Sequence, residues 1–299
     1  MKMPREIVLK LAAKESRLTG NFSVFRALPR RELRRVGGFV FLDHFDVENV
    51  SPEMFDVPPH PHIGLQTVTY LFEGEILHTD SLDFQEKIEP GAVNWMTAGK
   101  GITHSEQVLE LQKRMHGVQS WVGLPQDKRK IAPNFEHFDK TSLPYLELEK
   151  AKIRVIAGNL EKNVSPISTF QELTYLDIEA ESSCDLQIKV DLSHELAVYV
   201  CEGEIEIGGE KVERFMLASL SDGDEEFEFS TNSGARFMLF GGEKLPEPTV
   251  IYWNFITDTI GEAKQALIDW EDGKFPEVAK YQKIKSAPEG EDLEKMKLL

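Results

Sequence analysis

The sequence predicts an all-β protein built from two similar antiparallel β-barrels in tandem, with one helix near the C-terminus. The first of three observations is strand patterning. Short alternating or apolar runs recur with Gly, Pro or Asp between them: GGFVFLDHF (37–45), TVTYLFEGEI (67–76), GAVNWMT (91–97), GVQSWVGLP (117–125), KIRVIAG (152–158) and HELAVYVCEGEI (194–205). That spacing suits a sandwich or barrel rather than alternating β and α units. The second is an internal repeat, since YLFEGEI at 70–76 returns 129 residues later as YVCEGEI at 199–205. Each copy fits a strand, a tight Gly turn and a returning strand. The third is the break PQDKRKIAP (125–133) between the copies, which places one domain over 1–130 and a second over 131–299.

The helix is expected over 259–272. Ile260, Ala263, Leu267 and Trp270 fall on one face, Thr259 and Glu262 can form a capping box, and Gly273 stops it. The segment after it, APEGEDLEKMKLL, reads as a frayed tail. The acidic run DGDEEFE (222–228) reads as a solvated hairpin.

Composition narrows the function classes. A formal charge of −17 repels a phosphate polyanion, so non-specific nucleic-acid binding is not expected. The one dense basic run, Lys128-Arg129-Lys130, is short and reads as a solvated loop. With only Cys184 and Cys201, a disulfide framework or cysteine-rich metal site is excluded. No signal peptide and no membrane span is visible, and the expected compartment is a reducing cytoplasm.

Chemistry concentrates in the first copy of the repeat. In PPHPHIG, His60 and His62 are two apart, so on a strand they share a face while Pro61 points away. In WMTAGKGITHSEQ, His104 and Glu106 are again two apart, and turns at Gly91, Gly99 and Gly101 let the chain bring this pair opposite the first. Three neutral nitrogens and one carboxylate suit a divalent first-row metal, with two positions open if the ion is octahedral. In the second copy the positions of His60 and His62 are taken by Lys189 and Asp191, and no histidine follows His194. One working barrel and one structural barrel is the expectation. The remaining histidines, His44, His78, His116, His137 and His194, read as core or surface residues, with His44 a candidate to orient a ligand.

HPHIGLQTVTYLFEGEILHTDS with GAVNWMTAGKGITHSE, preceded by GGFVFLDHF, resembles the pirin family of the cupin superfamily. The resemblance implies a bicupin, two double-stranded β-helix barrels, with one Fe(II) held in the first by His60, His62, His104 and Glu106. Mn, Co, Ni, Cu or Zn are the alternative ions. It further implies a dioxygenase that cleaves quercetin-type flavonols with O2, with Glu106 also taking the proton of the substrate hydroxyl. The different-class alternative is a non-catalytic metal- or redox-sensing protein that regulates a protein partner. A zinc or manganese isomerase is a weaker third. A monomer is expected. Two positions depart from the pattern: Gln66 stands where cupins often place a ligating Glu, and EPTVIYWNFI (247–256) lacks the Gly-Pro usual in the family.

Overall fold

A computed structural model describes residues 4–19, 22–148, 150–223, 225–245, 249–279 and 297–298. The expected frayed tail therefore lies, but for two residues, outside the described part. Strands dominate, and Ile260–Glu271 is the α-helix among the described residues. The fold is a bicupin. Its two compact units are interlaced along the sequence. One is made of the chain up to Glu15, Phe25–His44 and Thr141–Lys244; the other of Ser16–Val24, Phe45–Lys140 and the chain from Leu245 onward. The division read from the sequence at 130/131 is contiguous, whereas each of these units draws on segments from both sides of it.

The unit containing Thr141–Lys244 has an antiparallel sheet in the order Ile7–Ala12, Met216–Leu220, Glu195–Ile207, Ala235–Gly242, Leu173–Ala180, Ala151–Leu160, Tyr145–Leu148. Alternate residues of neighbouring strands, Leu176 and Ile178, Val198 and Val200, Phe237 and Leu239, are buried together in one core cluster, as the period of two requires. Phe227 and Phe229, from the acidic run and its continuation, are also in that core. The end of the run thus opens the strand Glu226–Thr231, in which Glu226 and Glu228 are exposed and alternate with the buried Phe227 and Phe229.

The other unit has one sheet in the order Asp56–His62, Ile102–Gln107, Ile76–Asp80, Gln85–Ile88, and a second containing Asn134–Phe138, Val93–Thr97, Leu65–Glu73 and Gln112–Gly123 as successive neighbours. Phe55, Val57, Leu71, Ile76, Ile88 and Met115 form its core.

The repeat is equivalent in the two units. Tyr70 lies between Val93 and Val118 of the flanking strands, and Tyr199 between Leu217 and Met238. After the glycine, residues 76–79 pair with 85–88 in one unit, and 204–207 pair with 210–213 in the other. Gly74 and Gly203 hold φ of +89° and +70°, where a Cβ would meet backbone oxygen at 2.9 and 2.2 Å. Only glycine suits both demands.

The helix begins as its cap predicts, with Thr259 Oγ1 accepting from the Glu262 amide at 3.2 Å. The reciprocal half of the box differs: the Glu262 carboxylate accepts from the amide of Asp258, not of Thr259. Ala263, Ala266 and Trp270 are buried, while Ile260 is 39% exposed. Ala263, Leu267 and Trp270 of the expected stripe therefore seat as read, joined by Ala266, and pack with Phe255 and Trp253; Ile260 alone departs from it.

Candidate metal centre

The strand Asp56–His62 and the strand Ile102–Gln107 pair antiparallel, with His60 directly opposite His104 and His62 opposite Ile102. Residues two apart share a face, so His62 lies beside the His60–His104 pair on the same side. The ring centroids of His60 and His104 are 4.3 Å apart, and His62 lies 5.1 Å from each. One nitrogen from each ring falls within 4.8 Å of the others.

Local hydrogen bonds decide which nitrogen each ring presents. His60 Nδ1 is 2.9 Å from the carbonyl of Pro58, and His62 Nδ1 is 3.2 Å from the carbonyl of Asn254. A carbonyl only accepts, so both Nδ1 atoms carry the proton and both Nε2 atoms keep a lone pair when the rings are neutral. His104 Nε2 is buried with no partner in the protein. A buried nitrogen without a partner is costly unless something outside the chain meets it. Burial, reinforced by the charge that neighbouring His60 would carry, holds the pKa of His62 and of His104 well below the ordinary histidine value. Neutral imidazole is the ligating form. The site therefore fits a divalent ion on donor chemistry and on the orphaned atom alike.

Glu106 stands outside that convergent trio. Its carboxylate accepts from the Gln119 amide at 3.0 Å on both oxygens, and from Thr69 Oγ1 at 3.1 Å. Burial pushes its pKa up, against the lowering effect of the Gln119 and Thr69 hydrogen bonds. It is a buried carboxylate held in a fixed orientation and more basic than an exposed one. A register shift between His104 and Glu106 in the pairing with Asp56–His62 sets Glu106 opposite Val57 rather than opposite Pro58.

Among the other candidates, Gln66 is buried and donates to Thr97 Oγ1 at 2.8 Å. His44 belongs to the other unit, where its Nδ1 is 3.1 Å from Tyr199 Oη. His137 is bonded to Asn94, and His116 packs against Phe72. In the second unit Asp191, at the position of His62, approaches Glu172 and His194. Both carboxylates are exposed, and that of Asp191 already accepts from the amide and hydroxyl of Ser193.

Sequence reasoning missed His78. It is buried, lies directly across the ladder from Glu106, and has its Nδ1 3.3 Å from His104 Nδ1. The signal was present: His78 and Asp80 are two apart on a strand, the same spacing as the other two pairs. It also missed Asn254, which acts through its backbone carbonyl.

Two units of antiparallel barrel strands, one of them gathering three inward imidazoles, define the cupin class. The chain belongs to the pirin family. The pirin family description matches residues 21–122, and that of the pirin C-terminal cupin domain matches residues 175–276. A pirin-like protein of Caulobacter vibrioides is 40% identical over 263 residues, covering 86% of this chain and 90% of the relative. The crystal structure of a quercetin 2,3-dioxygenase from Acinetobacter baumannii superposes with a TM-score of 0.90 at 32% identity, covering 96% of each chain. A bacterial pirin of Escherichia coli, solved in complex with nickel(II), shares the fold with a TM-score of 0.63 at 17% identity, covering 79% of this chain and all of that one (100%). No helix among the described residues is long and apolar enough to cross a membrane.

Proposed function

We propose that this pirin is a metal-dependent dioxygenase, with Fe(II) as its working ion, that cleaves a flavonol of the quercetin type with O2. His60, His62 and His104 are its convergent ligands, and Glu106, whose carboxylate lies outside that trio, is the fourth ligand of this reading. The observation that carries the reading is the convergence of three imidazoles on a point where the buried Nε2 of His104 has no other partner. The likeness to the Acinetobacter quercetin 2,3-dioxygenase supports the substrate class.

An ion held there by the histidines would supply Lewis acidity, lowering the pKa of a bound hydroxyl, and redox chemistry toward O2. The protein's part is positional and basic. The three rings fix one face, each held from behind by its Nδ1. Glu106, raised in pKa by burial and aimed by Gln119 and Thr69, is placed to accept the proton of the flavonol 3-hydroxyl. Trp121, whose ring is 5.2 Å from that of His62, gives the site an apolar aromatic side suited to a flat substrate.

The test is aerobic incubation of Fe(II)-loaded protein with quercetin, following O2 uptake and loss of the flavonol absorbance. Stoichiometric consumption of both supports the reading. Loaded protein that turns over none of a range of flavonols leaves a regulator that binds metal and acts on a protein partner.

A further inference from the structure

We propose that Asp80 and His78 are positioning residues that set the tautomer of His104, and so the affinity of the metal centre. The inference rests on the metal reading above and assigns a role to two residues outside the ligand set.

Backbone carbonyls fix the protons of His60 and His62, but His104 Nδ1 meets another imidazole nitrogen, His78 Nδ1, at 3.3 Å. Two ring nitrogens in hydrogen-bond contact require one donor and one acceptor. What decides between them lies one residue further back. Asp80 Oδ2 is 3.0 Å from His78 Nε2, and Asp80 Oδ1 accepts from the amides of Leu82 and Phe84 at 2.8 and 3.2 Å. Asp80 and His78 are both buried, and the His78 ring is stacked on Phe135 at 4.4 Å and 10°, which leaves it little freedom to turn.

As a carboxylate, Asp80 only accepts, so His78 Nε2 carries the proton. A neutral His78 then has a lone pair on Nδ1 and accepts from His104 Nδ1. The lone pair of His104 is therefore on Nε2, the buried atom with no partner. The chain Asp80–His78–His104 does through two side chains what Pro58 and Asn254 do for the other rings through one carbonyl each. All three histidines present the same nitrogen to the same point.

Asp80→Asn tests this with almost no change of shape. The Leu82 and Phe84 amides need an oxygen where Oδ1 stands, so the new amide NH2 faces His78 Nε2 and donates to it. The proton of His78 is then displaced to Nδ1, His104 Nδ1 must accept, and the His104 proton moves to Nε2, where it meets the metal position.

Two readouts are taken: the protonated ring nitrogen of each histidine in metal-free, 15N-histidine-labelled protein by long-range 1H–15N NMR, and the Zn(II) affinity by competition with a chelator. In the wild type His104 is expected as the Nδ1–H tautomer. In Asp80→Asn it is expected as Nε2–H, with Zn(II) affinity lower by about 10–100-fold. An Nε2–H His104 in the wild type overturns the proposal without any variant. So does an Asp80→Asn protein in which affinity falls while the tautomer stays, because that is a merely structural effect, or in which the tautomer moves while affinity does not. A wild type that takes up no Zn(II) or Fe(II) overturns the metal reading instead, while the nitrogen spectra of the metal-free protein still decide the tautomer.

Discussion

His60 and His104 face each other across one rung of an antiparallel ladder, with their ring centroids 4.3 Å apart. Directly opposed residues on adjacent strands bring their side chains into contact without help from loops. Their position is therefore as rigid as the sheet that carries them, and His62, two residues along, shares that rigidity. The site is built on strands, and its energetics follow from burial.

Glu106 is expected to contribute more to turnover than to metal retention. Glu106→Gln keeps the side-chain shape but removes charge and basicity, while the three histidines remain. The variant is predicted to retain iron through desalting and to lose about 10²–10⁴-fold in turnover. Parallel measurement of bound iron and initial rate checks this. A Gln variant that loses iron and activity in proportion makes Glu106 only a ligand.

Acid should destabilise the metal-free protein before it reaches the carboxylate range. His62 and His104 have pKa values below that of histidine in the unfolded chain, first because of burial. Below about pH 6.5 the unfolded chain binds protons at these rings and the native one does not. Stability present above that pH is therefore lost as pH falls, by up to about 1.4 kcal/mol per unit and per histidine. Glu106, with its pKa raised, acts in the opposite sense: its contribution is present below the unfolded value and lost as pH rises. Two histidines against one carboxylate leave a net loss on acidification. Denaturant melts of metal-free protein between about pH 7.5 and 5, which spans the histidine range, should show it, and the loss should shrink in His104→Ala.

Much of this was legible in the sequence, and the limits have physical causes. Strands two residues in period make His60–His62 and His104–Glu106 visible as pairs on one face, and the repeated EGE segment reveals the second barrel. His78–Asp80 has the same spacing, yet reads as a core or surface pair, because the register that puts Glu106 opposite His78 is a property of strand pairing between distant segments. Asn254 was beyond reach for another reason. Its contribution to His62 is a backbone carbonyl, which every residue has, delivered from 192 residues away. The interlacing of the two units is likewise a matter of long-range pairing, as between Ile7–Ala12 and Met216–Leu220.

The C-terminal helix should be a working part of the fold. Trp270 is 2% exposed and packs with Phe255 and Ala266, and its ring lies 5.9 Å from that of Phe275. Trp270→Ala is predicted to cost about 3–5 kcal/mol, the usual range for deleting a buried aromatic. Amide exchange across Ala263–Trp270 should be slow in the wild type and fast in the variant. Rapid exchange in the wild type would mean that the helix is not seated.

The account stands most directly on the number of metal ions bound. Protein loaded anaerobically with Fe(II), freed of excess ion and analysed for metal should hold one ion per chain in the wild type and essentially none in His104→Ala. The loaded wild type should also gain stability as RT ln(1 + [L]/Kd), about 2.7 kcal/mol at a free concentration of 100 Kd. Two ions per chain, or a His104→Ala protein that still binds one, would contradict a single centre built on the three histidines of the first barrel.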